Sequence, residues 1–138
     1  MSRTAEEWGR VAVSLPGWRW MMGMGDFTGL IVLGWVDPAR GKRLRCWDIH
    51  MQCTGDYSPA RLLPDSDDLA TAGCLLALLG RQVSIRQRGH WVAEWRGMAP
   101  LAPGMGSVKR EVTGRGPTLG RACIAAAEAL GRWPGGAE

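Results

Sequence analysis

The stretch "CWDIHMQC" at residues 46–53 gathers more potential chemistry than any other part of the chain. Cys46, His50 and Cys53 are donors of the kind that hold zinc, at x3 and x2 spacings. Zinc takes four ligands, or three and an open position, and no second ligand pair with zinc-like spacing occurs. Strand alternation also puts Cys46 and His50 on one face and Cys53 on the other. Cys46, Asp48 and His50 have the residue types of a nucleophile, an orienting acid and a base. Residues two apart on a strand stand several ångströms apart along it, whereas catalytic groups must meet within about 3 Å. The stretch reads as a half-exposed strand face, with a Cys/His metal-binding protein as the further alternative.

The second candidate is "GRGPTLG" at 114–120. A dinucleotide fingerprint needs glycine at its first, third and sixth positions, and the sixth here is Leu119. A phosphate loop needs a closing Gly-Lys-Ser/Thr, which is missing. Gly114 and Gly116 therefore read as a tight strand-to-helix turn, with Pro117 and Thr118 starting the helix. The sequence carries no zinc-protease, nucleophile-elbow or kinase pattern either. No enzyme activity and no cofactor is expected.

Binding residues are better represented. "GWRWMMGMGDF" (17–27) fits neither helix nor strand periodicity and concentrates tryptophan, methionine and glycine. Trp18, Trp20, Met21, Met22 and Met24 are candidates for partner contact, since methionine repacks easily and tryptophan anchors interfaces. The alternative is a turn folded back onto the core. Net charge is +4, and of 17 basic residues all but Lys42 and Lys109 are arginine. Arginine suits carboxylate and phosphate partners. Arg81, Arg86, Arg88 and Arg96 are the candidates for nucleic-acid contact.

The elements that must hold these residues follow from periodicity and caps. Residues 4–15 form a helix behind a capping box of Thr4 and Glu7, ended by Pro16 and Gly17. Residues 29–36 and 43–51, joined by "DPARGK", read as a β-hairpin whose Trp47/Ile49/Met51 face points inward. Residues 52–64 read as loop. Residues 64–80 hold a helix capped by Asp65 or Ser66 and stopped by Gly80. Its 69–79 part is apolar all round, so it is buried in the domain or against a second copy as a homodimer. Two strands follow over 82–97, turning at Arg88 and Gly89. Val83, Ile85, Trp91, Ala93 and Trp95 form the core face, and Ser84, Arg86, Arg88, His90, Val92, Glu94 and Arg96 the outer one. A loop (98–106), a third strand (107–113) and a helix from about 118 to 132 complete the chain.

The resulting class is α+β, an antiparallel sheet with helices packed on one face. An N-terminal helix and β-hairpin are followed by α-β-β-β-α. At 138 residues and 46% apolar content the chain reads as one globular domain. Its N-terminal part spans about 4–52 and its α-β-β-β-α part about 65–132. Residues 1–15 lack an apolar core, no run reaches the ~18 residues of a membrane span, and Cys74 and Cys123 lie in apolar helix-like runs. A reduced, cytoplasmic setting without membrane contact is expected.

Two resemblances add to this reading. The α-β-β-β-α order, ending in Gly-x-Gly-x-Thr and the helix "RACIAAAEAL", resembles double-stranded-RNA-binding domains. In that family a lysine cluster opens the last helix, whereas "TLGRA" at 118–122 offers only Arg121, so the likeness implies topology alone. The second is to small phage- and prophage-encoded proteins of unknown activity. "GWRWMMGM" (17–24) is similar to their Gly-Trp-Arg-Trp-Met-Pro-Gly-Met segment. "LLPDSDDLATAGCLLALLG" (62–80) is similar to their Pro-Asp segment, which runs on through Asp-Pro-Ala-Thr-x-Gly-Cys-Leu-Leu-Ala-Leu. Met22 and Leu69 stand where that pattern carries proline. The resemblance implies an accessory protein acting in the host cytoplasm on a host or viral macromolecule. Inhibition of a host defence nuclease complex, as anti-CRISPR proteins do, is one form this could take.

Overall fold

A computed structural model describes residues 3–36, 43–100 and 104–137. Helix α1 (Ala5–Ser14) precedes a meander of β1 (Leu30–Val36), β2 (Arg43–Asp48) and β3 (Cys53–Tyr57). After a 3-10 turn (Pro59–Arg61) come α2 (Leu69–Leu79), a second meander of β4 (Val83–Arg88), β5 (His90–Pro100) and β6 (Ser107–Gly116), and α3 (Leu119–Leu130). Both three-stranded sheets are antiparallel, so the fold is α+β. Residues 37–42, expected to turn, and residues 101–103 lie outside the described residues, while 98–100, expected in a loop, extend β5.

The caps explain where the helices begin. Thr4 Oγ1 accepts from Glu7 N–H at 3.2 Å and the Glu7 carboxylate answers, the reciprocal box expected of this sequence. The cap of α2 is Asp68, one turn later than Asp65 or Ser66. Residues 65–68 first close a turn of their own, with Asp67 N–H on Asp65 Oδ1 and Asp68 N–H on the Asp65 carbonyl. Thr118 caps α3, and Gly80 and Gly131, both at φ +86°, end α2 and α3.

The first sheet corrects the hairpin in two ways. Residues 53–57 pair along β2, so the expected loop contains a third strand. Its glycine and acid disguise it, but the Tyr57 ring lies over Gly55 and supplies the missing apolar cover. The buried face is also the opposite one. Leu44 and Cys46 are fully buried, whereas Trp47, Ile49 and Met51 are exposed. β2 ends at Asp48, whose Oδ1 accepts from the N–H groups of His50 and Met51, so Ile49 and Met51 belong to a turn. Both faces of this strand are rich in apolar residues, and alternation alone does not choose between them.

In the second sheet α3 covers β5 and β6 and leaves β4 at the margin. Ala93 and Trp95 are buried as expected, but Ile85 on β4 is exposed. Val92, on the outer face, is buried between its cross-strand neighbours Arg86 and Arg115, whose long stems are of the kind that cover apolar surface. Helix α2 buries Leu75, Leu78 and Leu79 inside the domain. What it leaves open is Leu69 with the small residues Ala70, Gly73 and Ala77.

Gly114 and Gly116 are strand residues of β6 rather than a turn. A Cβ on Gly114 would collide with the Ala126 nitrogen and the Ala122 carbonyl, and one on Gly116 with the Ala122 nitrogen at 2.9 Å. They let α3 lie directly on the strand. Gly114→Ala is expected to cost about 1–3 kcal/mol through overpacking. Gly73→Ala, on the exposed face of α2 with nothing within 4 Å, is expected to stabilise by about 0.5–1 kcal/mol. Chemical denaturation of both variants measures the contrast.

Candidate functional site

The Trp/Met segment folds largely into the core. Trp20 and Met24 are buried, Trp18 and Met21 are half-buried, and Met22 alone projects, at 75% exposure. Trp18 meets Trp20 edge-on at 5.3 Å and Trp133 at 5.9 Å. Trp133, absent from the sequence-based core, is fully buried, with its indole N–H on the Ala12 carbonyl at 2.9 Å. Trp20 and Met24 are therefore withdrawn from any partner, because they fill the space between α1, the first sheet and the chain end.

A polar knot holds the segment there. Asp26, 4% exposed, accepts from Thr28 N–H at 2.7 Å, from the Thr28 hydroxyl, and from Leu63 N–H at 2.9 Å. Thr71 Oγ1 accepts from Gly25 N–H at 2.8 Å and donates to Asp68 Oδ2 at 2.9 Å. Asp67 takes a bidentate pair from Arg121 at 2.9 Å and a hydrogen bond from the Thr118 hydroxyl at 3.0 Å. The 63–71 stretch thus meets residues 25–28 on one side and the start of α3 on the other.

The arginine candidates divide. Arg86, Arg88 and Arg96 share the outer face of the second sheet, joined by Lys109 and Arg115 of β6. That face is partly neutralised from within: Glu94 pairs with Arg86 at 2.6 Å and Arg96 at 3.7 Å, and Glu111 reaches Arg96 at 3.8 Å. Arg81 lies elsewhere. It lines an open cleft of about 880 Å³ together with Arg19 and Arg132. The floor includes Leu76, Val83, Ile85 and Met98, and among the described residues no carboxylate lines it. Among the described residues none of these three guanidinium groups enters an ion pair. Gly80 and Gly131 end their helices so that Arg81 and Arg132 follow directly, at the negative ends of the helix dipoles. Sequence reading passed over Arg19 and Arg132, which are distant in the chain from Arg81; the two glycine stops were the available signal.

The cysteine and histidine candidates do not converge. Cys46 is buried on the inner face, Cys53 is exposed on β3, and His50 is exposed in the turn. Among the described residues no group of His, Cys, Asp and Glu is placed to hold a metal ion. Burial pushes the Cys46 thiol up to about 11 and Cys123 to about 12, and raises Cys74 as well. At neutral pH these are protonated, poor nucleophiles.

No family model matches this chain, and no curated protein or solved structure is significantly similar to it. Among the described residues no helix is long and apolar enough to cross a membrane.

The raised thiols carry a pH consequence. A buried thiol keeps its proton where the unfolded chain, near the ordinary value of 9.0, has lost it. The contribution of these thiols to stability is therefore constant below about pH 9 and is lost as pH rises through the folded values of about 11 and 12. Thermal melts from pH 7 upward are expected to show this decline, and Cys123→Ala to make it shallower.

Proposed function

We propose that this chain is a non-enzymatic accessory protein of a phage or prophage that binds an acidic protein surface of host or viral origin in the host cytoplasm. The observation that carries this reading is the cleft of Arg19, Arg81 and Arg132: cationic, apolar-floored and, among the described residues, unlined by acid. Guanidinium groups over an apolar floor match carboxylates set beside apolar side chains. The resemblance of 17–24 and 62–80 to phage proteins supplies the setting, and interference with a host defence complex is one such role. The protonated buried thiols and scattered histidines favour binding over catalysis.

A nucleic-acid reading has its own support in Arg88 and Arg115 on the second sheet, which lie beyond the Glu94 cluster. Capture from host lysate separates the two. Tagged wild type is compared with Arg19→Ala/Arg81→Ala/Arg132→Ala and with Arg86→Ala/Arg88→Ala/Arg115→Ala, each with and without nuclease. The proposal expects the cleft variant to lose the captured protein by about tenfold or more, with the sheet variant and nuclease without effect. Undiminished capture by the cleft variant, or loss on nuclease treatment, contradicts it.

A further inference from the structure

A second cleft, of about 410 Å³, opens on the other side of Arg19. Its walls include Trp18, Trp20 and Trp35, and its base Leu62 and Leu63. A strand irregularity places Trp35 there. Val32 pairs with Cys46, but Gly34 then pairs with Arg45 and Trp35 with Leu44, so Leu33 is an extra residue in β1. Regular alternation would carry residue 35 to the outer face beside Ile31. The bulge turns it to the face of Leu44, where it stays 43% exposed over the cleft instead of filling the core. Bulges recur where a side chain is re-aimed for a purpose.

Few polar groups line this cleft among the described residues. The indole N–H of Trp95 donates to the Leu79 carbonyl and that of Trp133 to Ala12, whereas the Trp18 N–H has no acceptor among the described residues and, shielded from solvent, does not open into the cleft. Among the described residues Arg19 is the one charged residue of the lining and lies in no ion pair. The volume falls in the range of small-molecule sites, which combine apolar walls with a few polar groups.

We propose that this cleft binds a small planar aromatic carboxylate, its ring among Trp18, Trp20 and Trp35 and its carboxylate on Arg19. Indole walls favour a flat ring by stacking or edge contact. A single guanidinium matches a single carboxylate, bidentately, and offers too little for a polyphosphate. The proposal shares Arg19 with the macromolecular reading, while Arg81 and Arg132 take no part in it, so Arg81→Ala/Arg132→Ala separates the two.

Calorimetric titration of the full chain with 2-naphthoate tests it, with 2-naphthalenemethanol as the uncharged counterpart. The expected result is saturable one-to-one binding with a Kd on the order of 100 μM. Trp35→Ala should weaken it by about tenfold or more, a change at a half-exposed residue that leaves the circular dichroism spectrum intact. Arg19→Gln should weaken naphthoate and leave the alcohol unchanged, and Arg81→Ala/Arg132→Ala should alter neither. In wild-type protein, intermolecular NOEs from naphthoate to the Trp35 and Trp18 rings should appear, which keeps the test open if a variant misfolds. Absence of saturable binding, NOEs to other residues, or equal loss of both probes in Arg19→Gln overturns the proposal.

Discussion

A carboxylate removed from water must find donors close by, and Asp26 finds them in two separate segments of the chain. With Asp67 and Asp68 it fixes the 62–68 connection against residues 25–28, α2 and α3 at once. A hydrogen bond to a charged group contributes about 1.5–3 kcal/mol, and loss of one partner leaves the charge stranded. This knot decides the fate of the Trp/Met segment. Once Gly25 and Asp26 are tied down, Trp20 and Met24 have nowhere to go but the core, and Trp18 is held at its edge.

Close packing of backbone does the rest. Gly114 and Gly116 bring α3 onto β6, and Gly120 brings the start of α3 against the Ser66 backbone. Arg3 closes the far side by pairing with Glu128 at 2.7 Å while lying over the Trp8 ring at 5.0 Å. Because α2 and α3 both stop at glycine, Arg81 and Arg132 emerge together at one end of the helical layer. Arg19, held by its two tryptophan neighbours, stands between the two clefts. The cationic surface is thus a product of helix termination, whereas on the sheet face Glu94 and Glu111 pair with Arg86 and Arg96.

Local signals survived folding well. The Thr4–Glu7 box, the Gly80 stop, the Thr118 start and the α-β-β-β-α order are all readable, because each depends on a few adjacent residues. What escaped depended on distant ones. β3 is visible only against the edge of β2, and the inward face of β2 is set by what Leu44 and Cys46 meet across the core. Trp133 lies in a Pro/Gly-rich end, and its burial depends on Ala12 and Pro16, more than a hundred residues earlier. The candidate site was half legible: Arg81 stood out, while Arg19 and Arg132 join it only in space.

The claim that one arginine cleft is the recognition surface is tested most directly by arginine side-chain NMR. Poly-L-glutamate at low salt is added to the full chain, and the Nε–Hε resonances are followed. The account predicts shifts at Arg19, Arg81 and Arg132, with Arg86, Arg96 and Arg121 unmoved in their ion pairs. Shifts concentrated on Arg86, Arg88, Arg96 and Arg115 would contradict it.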